Sequence, residues 1–170
     1  MKNFKDFRVG GYSLIELMVV AGMLAVLALM SWPALQESRY RAELDDAADN
    51  LTALVRAARL QAIATDSAVW VGKSHAQSLC FWQQEQRPLD CPAADGLNAP
   101  LSPRVEVEAL FGAFEATRFY GGSGMAGFAT GRFELRHYEL PHEAVRVIVS
   151  SLGRVRVCRV GIRQLRLPPC

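Results

Sequence analysis

Residues 144–170 carry Arg146, Arg154, Arg156, Arg159, Arg163 and Arg166 and not one Asp or Glu. A guanidinium is a planar fork that can donate two hydrogen bonds to one phosphate or carboxylate. Arg154 and Arg156 are two apart, which puts both on one face of a strand, with Val155 and Val157 on the other. They follow Ser150-Ser151-Leu152-Gly153, a turn signal whose glycine can take a positive φ. Residues 12–143 have the opposite balance, ten basic against sixteen acidic side chains. The formal net charge of +2 therefore hides a segregation. A basic end on a near-neutral chain implies a localised anionic partner rather than general stickiness. A merely solvated face would mix its signs.

The other reactive residue types are sparse. Cys80, Cys91, Cys158 and Cys170 fall into two close pairs, none with the spacing of a zinc site. If the body lies outside the cytoplasm, disulfides are the natural state. Four cysteines allow three pairings, and proximity favours Cys80–Cys91 with Cys158–Cys170. Loops this short would each contribute roughly 2–3 kcal/mol. Gly122, Gly124 and Gly127 fit G-x-G-x-x-G, but the FATGRFEL that follows reads as a strand, so no helix N-terminus awaits a pyrophosphate. His137 and His142 flank Pro141 with no third ligand in view, and are expected to be solvated, like His75. Trp70, Phe81 and Trp82 read as core packing. No Ser, Cys or Lys has an activating neighbour pattern. No enzyme activity, metal or cofactor is expected.

These residues need elements to position them. Residues 1–11, MKNFKDFRVGG, are short and basic. Residues 12–35 form an apolar run of about the ~20 residues that cross a bilayer. Its basic flank would hold the N-terminus in the cytoplasm. Glu16 stands at the edge of this run, where a carboxylate is costly unless paired. Pro33 should kink the helix locally. From residue 36 to 66 the chain turns polar but stays helical. Leu44, Ala48, Leu51, Val55, Ala58 and Ala62 make one apolar stripe at steps of three and four. After Asp66 the period changes to two. Strands are expected at 68–73, 78–83, 104–109, 117–121, 132–138, 144–150 and 154–160, more weakly at 162–167, with 84–103 a loop.

The segment GG-YSLIEL resembles the prepilin recognition site: a glycine, an aromatic residue, x-L-x-E, then an apolar helix. Gly11 stands before the cut and Tyr12, where phenylalanine is commoner, becomes the first residue. Glu16 is then fifth, and Pro33 falls where many such proteins have a proline. The resemblance implies cleavage by a prepilin peptidase at the inner membrane and N-methylation of Tyr12. It also implies a filament role for Glu16, paired with the N-terminal amine of a neighbouring subunit. The whole pattern looks like the type IV pilin-like fold, an α+β architecture. In it the second half of a long N-terminal helix packs on a small antiparallel β-domain, here residues 67–170.

Within the β-domain, RFYGGSGMAGFATGRFEL and VRVIVSSLGRVRVC resemble the GspH/FimT group of minor pilins and pseudopilins. Gly153-Arg154-Val155-Arg156 resembles the GRxR signature of FimT-like minor pilins, implicated there in binding DNA for natural transformation. The expectation is a minor pilin, held in the inner membrane with a periplasmic domain and then carried on a type IV pilus. Its partners would be other pilin subunits and double-stranded DNA. The DNA-binding set would be Gly153, Arg154 and Arg156 with Arg146, Arg159, Arg163 and Arg166. The alternatives are a minor pilin that primes pilus assembly and a GspH-like pseudopilin of type II secretion.

Overall fold

A computed structural model describes residues 13–73, 79–83, 98–99, 101–112, 115–161 and 167–170. Its elements are helix α1 (Leu14–Thr65) and strands β1 (Val69–Lys73), β2 (Leu79–Gln83), β3 (Asn98–Ala99), β4 (Val105–Leu110), β5 (Ala116–Phe119), β6 (Gly131–His137), β7 (Ala144–Val149) and β8 (Val155–Val160). The chain divides into two units, Met1–Ser38 and Arg39–Cys170, and α1 contributes to both.

In the first unit the helical residues from Leu14 to Leu35 are all exposed. The helix is long and apolar enough to cross a membrane. The Ser31 hydroxyl donates to the Leu27 carbonyl (2.9 Å), so its polar group is satisfied inside the helix. The helix continues through Pro33, whose missing N–H leaves the Leu29 carbonyl without its usual donor.

In the second unit every member of the predicted stripe, Leu44, Ala48, Leu51, Val55, Ala58 and Ala62, is buried. Each buried Leu or Val there stabilises the fold by about 1.5–3 kcal/mol. The stripe joins a single core with residues of two antiparallel sheets, ordered β3-β2-β1-β5 and β4-β6-β7-β8. In the second sheet the core side is the odd-numbered one. Val107, Leu135 and Val145 stand in one cross-strand row, and Phe133, Val147 and Val157 in another. The edge-to-face pair Phe111–Phe133, 4.6 Å between centroids, closes the core beside β4.

Expected and observed strands agree to within a residue or two at their ends. β3, however, lies inside the stretch expected to be loop, where Asn98–Ala99 pairs with β2. Two residues carry no alternation to detect. Residues 162–166, which include Arg163 and Arg166, lie outside the described residues, as do residues 1–12, with Gly11 and Tyr12, and Cys91.

Candidate nucleic-acid interface

The turn between β7 and β8 is built as the glycine signal implied. Ser150 N–H donates to the Arg154 carbonyl (3.0 Å) and Gly153 N–H to the Ser150 carbonyl (2.8 Å). The Ser150 hydroxyl accepts from Arg154 N–H (3.1 Å). Gly153 has φ +74° and is buried, so its part is to shape the turn rather than touch a ligand. A Cβ here would strike the Gly124 carbonyl and come within 2.9 Å of Arg59 Nε. Arg59 Nε itself donates to the Gly124 carbonyl (3.1 Å). The turn is thus locked onto the glycine-rich loop 121–130 and the last turns of α1. That loop leads into a strand, as its G-x-G-x-x-G context required.

Arg154 and Arg156 are exposed, while Val155 and Val157 pack against the core. Register carries the basic face further. Arg156 stands opposite Ile148, and Ile148 opposite Arg132 on β6. Arg146, the next outward residue on β7, faces Glu134. Glu134 is buried and collects Arg146 Nε at 2.7 Å, Arg132 Nε at 3.5 Å, and Arg136. Burial pushes its carboxyl up, but hydrogen bonds from Arg136 and Arg146 outweigh that and hold it below the ordinary range. The carboxylate in turn raises Arg136.

Two features depart from the linear picture. The 144–170 stretch lacks acids, but the fold supplies one: Glu134 offsets one of the three guanidiniums around it. Glu106 and Glu108 on edge strand β4 make the same sheet face acidic at its far side. The second departure is Arg159. The charge count puts it with the basic face, yet it is buried, with Nη1 on Glu143 at 3.2 Å and Nη2 on Asp45 of α1. Glu143 is also held by Arg41 Nη2 at 2.7 Å. Arg159 has the odd parity of Val155 and Val157, so it points inward and is withdrawn from the contact set. Strand alternation carried that signal. Arg132 and Arg136, which sequence reasoning missed, needed the register.

Cys158 and Cys170 form a disulfide. The tail lies along β8, with Arg159 N–H on the Pro168 carbonyl (2.9 Å) and Cys170 N–H on the Arg159 carbonyl (3.2 Å). The pairing of Cys80 with Cys91 falls outside the described residues. His137, expected in solvent, is buried. It stacks on Tyr40 (4.9 Å) and lies 3.3 Å from Glu43 Oε2, and its Nδ1 accepts from Glu139 N–H (3.1 Å). With Nδ1 accepting from Glu139, Nε2 is the ring nitrogen that faces Glu43. His142 is exposed. Among the described residues no group of three His, Cys, Asp or Glu could hold a metal.

A long N-terminal helix whose second half packs on two small antiparallel sheets is the architecture of a type IV pilin-like subunit. A solved structure shows the likeness: the type IV minor pilin FimU of Pseudomonas aeruginosa matches with a TM-score of 0.54 at 18% identity, covering 69% of this chain and 89% of that one. The family model described as type II transport protein GspH matches residues 47–153, more than half of the sequence, and the chain belongs to that family. A comparison with curated proteins finds no match. Fold and family together support a minor pilin or pseudopilin-like role.

Proposed function

We propose that this protein is a minor pilin of a type IV pilus whose β7–β8 face binds double-stranded DNA through its phosphates, for uptake in natural transformation. The observation that carries the reading is the exposed pair Arg154 and Arg156. Among the described residues neither is in an ion pair, and register extends them into Arg146, Arg132 and Arg136. Arg163 and Arg166 remain candidates by sequence alone. Phosphate contacts carry little sequence information, so binding is expected to be nearly sequence-blind. The precursor would be cut between Gly11 and Tyr12 by a prepilin peptidase and methylated at Tyr12. Glu16, in the first turn of α1, would pair with a neighbour's N-terminal amine. The apolar helix is consistent with an inner-membrane anchor, with the β-domain on the periplasmic side and later on the pilus.

The test in cells is the Arg154→Gln, Arg156→Gln variant. It should abolish transformation while pili still assemble. Normal transformation by the variant would sink the reading.

The family match favours one competitor, a pseudopilin of type II secretion whose partners are other pseudopilins. That reading predicts loss of secretion, not of DNA uptake, when the gene is deleted. The assembly-priming minor pilin predicts loss of pili.

A further inference from the structure

Two aromatic rings lie exposed beside the arginine hairpin, and the mechanism above does not use them. Tyr120 follows β5 and is 40% exposed. The Arg118 guanidinium lies 4.7 Å from its ring centroid and 5.4 Å from that of Trp70. Phe128 is 103% exposed, as open as a side chain in an extended peptide. Its backbone is nevertheless fixed. Ala129 N–H donates to the Ala126 carbonyl (3.0 Å), closing a turn with Gly127 at φ +56° and Phe128 as its central residues. The N–H groups of Ala126 and Gly127 both donate to the Ser151 carbonyl, at 2.9 and 3.0 Å. The Thr117 hydroxyl donates to the Ala129 carbonyl (2.8 Å).

Gly127, the chain neighbour of Phe128, packs beside Tyr120: an added Cβ there would meet the Tyr120 ring at 2.8 Å. On the other side, Ser151 is three residues before Arg154. Among the described residues Arg118, Arg154 and Arg156 form no ion pair. An open ring on a fixed turn, a partly exposed tyrosine capped by Arg118, and two exposed arginines outside ion pairs match a strand whose bases are unstacked: rings take the base faces and the guanidiniums of Arg154 and Arg156 take the phosphates. A duplex offers the phosphates alone.

We propose that Tyr120 and Phe128, with Arg118, form a stacking platform for unpaired bases, so that DNA carrying a single-stranded end is the form this site takes. The proposal rests on the DNA reading above and adds the form of DNA preferred. A fully exposed ring can be removed without disturbing the core, so Phe128→Ala is a clean probe.

The test uses the full chain in non-ionic detergent and fluorescence anisotropy. Three ligands are compared: a blunt duplex, the same duplex with a thymidine overhang, and the same duplex with an abasic overhang of equal length. The two overhangs have equal phosphate number, so their difference reads stacking alone. The base-bearing overhang should bind about tenfold more tightly than the abasic one. Phe128→Ala should remove most of that difference, Phe128→Trp should keep it, and neither should change blunt-duplex affinity. Equal binding of the two overhangs overturns the platform and leaves the DNA reading intact. So does a Phe128→Ala variant that keeps the preference, or one that instead drops out of sheared filaments, which would assign the ring to a subunit contact. No binding of any DNA at low salt overturns both.

Discussion

Replacing Arg159 by alanine should unfold the domain far more readily than any change at Arg154 or Arg156, although all three arginines lie on one short stretch of chain. Arg159 is 5% exposed and bridges Glu143 on the β6–β7 connection to Asp45 on α1. Removing one partner of a buried ion pair costs about 3–5 kcal/mol, because the other charge is left uncompensated. Here the loss is cushioned. Glu143 keeps Arg41, whose Nε and Nη2 reach it at 2.7–3.2 Å, and Asp45 is partly exposed to water. The expected cost is therefore near the lower bound, about 3 kcal/mol. For a unit of this size that lowers the midpoint of thermal unfolding by roughly 10 °C. Near-ultraviolet circular dichroism of the full chain in detergent reads it. Arg156→Ala, exposed on the other face, should move the midpoint by less than about 2 °C. Equal midpoints for the two variants would refute the inward placement of Arg159 and return it to the basic face.

The remaining predictions concern the turn, the buried carboxylate and the membrane helix. Gly153→Ala should cost about 1–3 kcal/mol in urea unfolding, from positive φ and the clash with the Gly124 carbonyl, and should weaken DNA binding by opening the turn. Glu134 has a carboxyl lowered from its ordinary 4.5, so the stability it contributes is full above that pH and is lost as pH falls through the lower folded value. Glu134→Gln should flatten acid unfolding below pH 4.5, and an unchanged profile would count against the three-arginine clasp. Glu16→Ala should permit leader cleavage but reduce the amount recovered in sheared filaments, measured by immunoblot against the parent.

The fold was legible where the sequence is periodic. All six positions of the α1 stripe from Leu44 to Ala62 are buried, because a step of three or four residues leaves one face for the core. The seven stronger strands were legible from alternation, whereas Asn98–Ala99 was too short to alternate. The site was half legible. Arg154 and Arg156 follow from parity beside Gly153. The same parity, applied five residues on, turns Arg159 inward, and the charge count obscured it. Glu134, Arg132 and Arg136 meet Arg146 only because β6 pairs with β7 in one register, which residue spacing does not encode. The burial of His137 is invisible in the sequence because its partners, Tyr40 and Glu43, come from a helix more than ninety residues earlier.

The salt dependence of duplex binding tests the central claim most directly. With Arg159 buried, about three to four phosphates can be reached by Arg154, Arg156 and the partly shared Arg132, Arg136 and Arg146. At about −0.9 per contact, the slope of log affinity against log salt should be roughly −2.7 to −3.6 for the full chain in detergent. Arg154→Gln with Arg156→Gln should lower affinity for every sequence tested and flatten the slope by about 1.8, with thermal unfolding unchanged. A double variant with the parent's affinity and slope, or a parent chain that binds no duplex at low salt, would contradict the account and leave the assembly-priming subunit in its place.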